Sequence, residues 1–169
     1  MTTIGDVLMV FGGLLALAGT TWAAIVLAAL LFPGRTASAA QELEDRAGRV
    51  WWVGLVATFV ALSVAFVLVS LPLPLVKFLG FCLLGGHISL AVVGAAGLTR
   101  LLGKQIKGAG GPAENFGAFL RGAGLLVGAC SIPLFGWLFL SPVVLVMGTG
   151  AGLRSFFPAK APERFGAEA

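Results

Sequence analysis

Four stretches of this sequence, at about residues 4 to 32, 50 to 71, 73 to 98 and 116 to 153, are almost uninterruptedly apolar. A helix that spans a bilayer needs about 20 consecutive apolar residues, and each stretch reaches or exceeds that length. Together they occupy most of the 169 residues, of which 59% are hydrophobic and 11% charged, against about 25% charged in soluble domains. No soluble surface can be made from such a chain, and no room is left for a separate soluble domain. The expected fold is all-α: one polytopic helical membrane domain over residues 1–157, followed by a short polar tail at 158–169.

The last stretch is too long for one membrane helix. As a single helix it would measure about 55 Å at about 1.5 Å per residue, against a hydrocarbon core of about 30 Å. It is interrupted at Ile132-Pro133-Leu134-Phe135-Gly136, which reads as a turn centred on Pro133 and Gly136. Arms at 117–132 and 136–153 would rise about 24 and 27 Å, enough nearly to cross. The expectation is three spanning helices, at about 4–32, 50–71 and 75–100, and then a Pro/Gly-turned hairpin, making five membrane segments. Pro142 falls inside the second arm and should kink it.

Basic residues favour the hairpin. Without the turn, they divide 7 to 4 between the two sides of the membrane; with it, Arg154, Lys160 and Arg164 join Arg35, Arg46, Arg49, Arg100, Lys104, Lys107 and Arg121, leaving Lys77 alone, 10 to 1. Excess Lys and Arg mark cytoplasmic loops. The N-terminus is therefore expected outside and the C-terminus in the cytoplasm. Ala37-Ser38-Ala39 has the look of a signal-peptidase site, but the segment before it has no basic n-region and an apolar stretch about twice the usual length, so it reads as a retained first helix.

Between these spans, Pro33-Gly34 is expected to end the first helix, with a second starting at the S-x-x-Q capping box Ser38 to Gln41. The new helix would begin in water, with Glu42–Arg46 and Asp45–Arg49 as i,i+4 pairs and Trp51-Trp52 at headgroup level. Leu71-Pro72-Leu73-Pro74 makes a tight reversal, and Gly103 to Gly117, with five glycines and no apolar period, reads as a loop.

Small residues recur every fourth position at Gly12, Ala16, Thr20, Ala24 and Ala28. Lipid gives helices no hydrophobic drive to associate, so packing rests on close van der Waals contact, which small residues permit. The stripe is a candidate interface, although alanine and glycine are frequent in this chain. Gly124 with Gly128, and Gly148 with Gly152, offer the same spacing for packing the hairpin arms on each other. Trp22, mid-span, reads as a packing residue whose N–H seeks a neighbouring helix.

Little in the sequence can carry chemistry. His87 is the single histidine and falls mid-span, where an ionisable group is costly and a functional candidate by default. The plainer account is a neutral imidazole hydrogen-bonded to Ser89, Thr58, Ser63, Ser131 or a carbonyl. No second intramembrane acid, base or metal-ligand set accompanies it, so no catalytic residue, cofactor or metal is expected. Cys82 and Cys130 lie in apolar spans without metal-ligand spacing, and no aromatic-basic pattern points to nucleic acid despite a net charge of +4.

The Leu71-Pro72-Leu73-Pro74 turn, Ile132-Pro133-Leu134-Phe135-Gly136-Trp137 and Gly148-Thr149-Gly150-Ala151-Gly152 resemble the multi-span membrane domain found after bactofilin-type polymer-forming domains in bacteria. The resemblance covers residues 71–153; this chain has no polymer-forming domain. It implies a bacterial membrane anchor or scaffold and carries over no catalytic residue. Seven arginines to four lysines, with many alanines and glycines, fit a GC-rich bacterial source and hence a cytoplasmic (inner) membrane. The expected function is a non-enzymatic structural protein or accessory subunit of a membrane complex. Its partners would be the lipid bilayer and a second copy or larger assembly. The alternative is a small pore or transporter lined by His87.

Overall fold

The computed structural model describes residues 4–108, 110 and 115–157; the tail with Lys160 and Arg164 lies outside the described residues. Every regular element among them is helical: α1 (Ile4–Leu31), α2 (Pro33–Ser70), α3 (Pro74–Gly108), α4 (Asn115–Ser131), a π turn (Gly136–Leu140) and α5 (Ser141–Ser155). Helices α1, α2 and α3, together with the continuous segment Gly136–Ser155, are long and apolar enough to cross a membrane. The chain is a multi-pass helical membrane protein. Four of the five expected segments are thus long enough to span; α4, with 17 residues and about 25 Å, is the short one, and it carries the chain antiparallel to α3 from Asn115 back to the turn at Pro133.

Helix α3 is the hub, packing on α1, α2, α4 and α5. Gly80 of α3 lies against Ala65 of α2 and Gly97 against Ala39 and Ala40, so these two helices run antiparallel from the Pro72–Pro74 reversal. On its other side α3 meets α4 antiparallel, Gly122 against the Thr99 carbonyl and Gly103 against Ala118. The interior is built from small side chains. The largest fully buried ones are Val50, Thr36, Thr99 and Thr149, while Phe59, Phe66, Phe78, Phe81 and Phe139 point outward. Backbones approach closely inside and bulky residues meet lipid, as expected where packing, not water exclusion, holds helices together.

Three local expectations change. Pro33 starts α2 instead of ending α1, with Phe32 the one non-helical residue between them: proline fits a first helical turn because its missing N–H needs no partner there. Ser38 is accordingly not a cap; its hydroxyl donates back to the Gly34 carbonyl at 3.1 Å. Helix α2 is broken at Arg46 (φ −144°, ψ 42°), so the polar stretch does not run straight into the span. The loop expected from Gly103 to Gly117 is shorter, as α3 continues to Gly108 and α4 begins at Asn115.

The reversal at Pro133 to Gly136 is present. Leu134 takes a left-handed conformation (φ 70°), Phe135 N–H donates to the Pro133 carbonyl at 2.9 Å, and Gly136 N–H donates to Ile132 at 2.8 Å. A Cβ on Gly136 would overlap the carbonyls of Ala129 and Cys130, so glycine is needed there. Pro142 does not kink an α-helix from within. It sits in the first turn of α5, and the wider π turn ahead of it, closed by Ser141 N–H to the Gly136 carbonyl, accommodates the donor that proline lacks.

Candidate functional site

Of the stripe on α1, Gly12, Ala16 and Thr20 are exposed, Ala24 is half-buried and Ala28 is buried. The C-terminal half of α1 touches the bundle, through Ile25, Ala28 and Ala29 with Ala18 and Val26 packed beside them, against α3 and α4. Nothing would lie within 4 Å of a Cβ on Gly12, and the Thr20 hydroxyl satisfies itself on the Ala16 carbonyl at 2.8 Å. Trp22 Nε1 does reach a neighbour, donating to the Leu120 carbonyl of α4 at 3.4 Å.

The hairpin arms do not pack on each other along their length. Gly124 and Gly128 are exposed, and a Cβ at either would meet nothing within 4 Å, whereas Gly148 and Gly152 are buried against Ala91 and Leu90 of α3. The two arms sit on different sides of α3, which supplies better small-residue partners than the arms offer each other. The tightest approaches are Gly94 against the Gly148 carbonyl, between α3 and α5, and Gly54 against the Val146 carbonyl, between α2 and α5, with Gly150 beside it. The sequence reading missed Gly54, Gly94 and Gly150. Gly148-x-Gly150-x-Gly152 carried the available signal: alternate glycines on a helix face two neighbours at once.

His87 is buried, 6% exposed, and among the described residues its Nε2 has no hydrogen-bond partner. None of the expected side chains serves it. Ser89 donates to the Gly85 carbonyl and Ser131 to Val127, each at 2.8 Å, and Ser63 is exposed. Each hydroxyl has a carbonyl of its own helix one turn back, nearer than any imidazole. Thr58 Oγ1 and Thr149 Oγ1 are likewise buried without a partner. Antiparallel pairing of Ala65 with Gly80 places Thr58, two turns along α2, level with His87, two turns along α3. This polar level lies in the close-packed part of the bundle, outside the described cavities.

Charged residues gather at the opposite end of these helices from the Pro72 and Pro133 turns. Arg154 Nε donates to Glu42 Oε2 at 2.6 Å with both side chains largely buried, 16% and 12% exposed, and Lys104 meets Glu44 at 2.7 Å in the open. The expected Glu42–Arg46 pair is absent because the α2 backbone breaks at Arg46. The Arg35 guanidinium stacks 3.5 Å above the Phe156 ring. These contacts bring the end of α5 beside the start of α2, as a returning hairpin requires. Beside them opens an 880 Å³ cleft among the end of α1, the start of α2, the end of α3 and the start of α4. A second cavity of 490 Å³, mostly apolar, lies between α1, α3, α4 and α5 near Cys130, Ser131 and Trp137. Among the described residues no group of three or more His, Cys, Asp or Glu could hold a metal ion.

Comparisons of the chain with family models, with curated proteins and with solved structures find no match.

Proposed function

We propose that the protein is a non-enzymatic structural subunit of a membrane assembly, which binds a second copy or a larger partner through the small-residue face of α1. The observation that carries this reading is the exposure of Gly12, Ala16 and Thr20 on a helix whose other end, at Ala28, already packs by the same kind of residue. Close packing between membrane helices uses such faces. The resemblance of residues 71–153 to a bactofilin-associated membrane domain agrees with an anchoring role. Replacing Ala16 and Thr20 with leucine should abolish oligomers or complexes seen by native mass spectrometry in mild detergent. An unchanged assembly size would overturn the reading.

The orientation proposed with it, N-terminus outside and C-terminus cytoplasmic in a bacterial inner membrane, is supported by the gathering of Arg35, Arg100, Lys104, Lys107 and Arg154 at one end. Reporter tags that place both termini on one side would exclude it. A pore or transporter is the second reading, favoured by the buried, unpartnered His87 Nε2. Flux into liposomes that is lost in His87→Ala would support it; equal flux from both proteins, or none from either, would remove it.

A further inference from the structure

The cleft at the charged end has a composition that selects its ligand. Arg100, Lys104 and Lys107 line it from α3 at i, i+4 and i+7, so they stand on one face of the helix, rung above rung over about 10 Å. Leu30, Phe116 and Phe119 form apolar wall from α1 and α4. Glu44 and Asp45 are the carboxylates among the described lining residues. Glu44 is matched by Lys104 at 2.7 Å, and Lys107 spends a hydrogen bond on a neutral amide, Asn115 Oδ1, so its charge is not cancelled there. Arg100 is half-buried and makes no ion pair among the described residues. Two cations thus face the cleft against one remaining carboxylate, Asp45.

The level of the cleft in the bilayer follows from the same residues. Helix α1 stays apolar through Leu31, while α3 turns from apolar to basic at Arg100; both changes occur at the cleft. Hydrocarbon gives way to headgroups where apolar spans end in basic residues. A small soluble anion would satisfy the cations and leave the Leu30, Phe116 and Phe119 wall uncovered. A zwitterionic lipid would cover the wall and bring its own cation to the rungs. We infer that the cleft binds a phospholipid with an anionic headgroup, its phosphate at Arg100 and Lys107 and its chains along the apolar wall. This binding goes beyond the structural role proposed above and does not depend on it.

The test uses the full chain, delipidated in mild detergent and titrated with phosphatidylglycerol, phosphatidylcholine or inorganic phosphate while adducts are counted by native mass spectrometry. One phosphatidylglycerol should be retained in preference to phosphatidylcholine, and millimolar inorganic phosphate should not displace it. With about 1 kcal/mol per basic residue at an anionic surface, the Arg100→Gln, Lys107→Gln double variant should bind roughly thirty-fold more weakly. Ala37→Glu, which adds a carboxylate at an exposed position lining the cleft without altering a basic residue, should also weaken binding. Arg121→Gln, exposed on α4 and outside the cleft, should not. Equal retention of both lipids, displacement by phosphate alone, or an equal loss in Arg121→Gln would overturn the site. Should the double variant not fold, the wild-type lipid preference and Ala37→Glu decide the matter.

Discussion

A single methyl group added at Gly94 should separate α3 from α5. A Cβ there would lie 2.6 Å from the carbonyl carbon of Gly148 and 2.7 Å from its Cα, where ordinary contact begins near 3.4 Å. The Gly148 carbonyl oxygen lies nearer still, and all of these obstacles are backbone, so no rotamer change relieves them and the helices must back away by at least about 1 Å. A gap of that size forfeits a quarter to a half of each contact's attraction along the seam, and overpacking in tight cores costs about 1–3 kcal/mol. Against this stands a gain of about 0.5–1 kcal/mol, because alanine is the better helix former. With backbone as the obstacle the overpacking cost falls at the upper end of its range, and the net expectation for Gly94→Ala is a loss of about 2 kcal/mol. Gly124→Ala is the matched control: nothing lies within 4 Å of its Cβ, so only the helix gain remains and the variant should be unchanged or up to about 1 kcal/mol more stable. Titrating sodium dodecyl sulfate into mixed micelles, with tryptophan fluorescence as the signal, gives both values. Identical stabilities for the two variants would show that the Gly94–Gly148 crossing does not hold the bundle together.

Glu42→Ala leaves Arg154 largely buried without its partner and should cost about 3 kcal/mol in the same titration, with much of that recovered in a Glu42→Ala, Arg154→Met double variant. Leu134→Gly relieves a left-handed residue in the hairpin turn and should raise stability by about 1 kcal/mol; a loss would mean the Leu134 side chain, 77% exposed, contributes more than its backbone costs. Thr58→Val keeps the shape of the side chain and removes a buried hydroxyl that has no partner, so it should be neutral or mildly stabilising, whereas a drop above 1 kcal/mol would reveal a hydrogen bond to the polar level around His87.

The apolar runs and the turn at Pro133 to Gly136 were legible because each rests on a local rule: span length, and the backbone needs of proline and glycine. Pro33 was misread for a related reason. The same residue can follow one helix or begin the next, and only the chain beyond it decides. The break at Arg46 has no proline to announce it, and the nearest glycine, Gly48, stands two residues beyond it. Glu42 pairs with a residue 112 positions away, in preference to the favourable neighbour at i+4, because α5 returns to α2. Small-residue spacing announced that helices could approach closely, and it was silent on which helices did. Gly124 and Gly128 have the same spacing as Gly148 and Gly152, yet only the second pair meets a neighbour.

The π turn from Gly136 to Leu140 sets the angular phase of everything after it. Relative to uninterrupted α-helix, a π turn holds one additional residue, which rotates the following segment by about 100° about its axis. The direction in which Gly148, Gly150 and Gly152 face is thus written at the turn, a dozen residues upstream of where it is used. Deleting one residue from Leu138 to Leu140 would conserve the composition of α5 and its apolar character while swinging these glycines out of the grooves of α2 and α3. In this helix the count of residues, as much as their kind, specifies the interior.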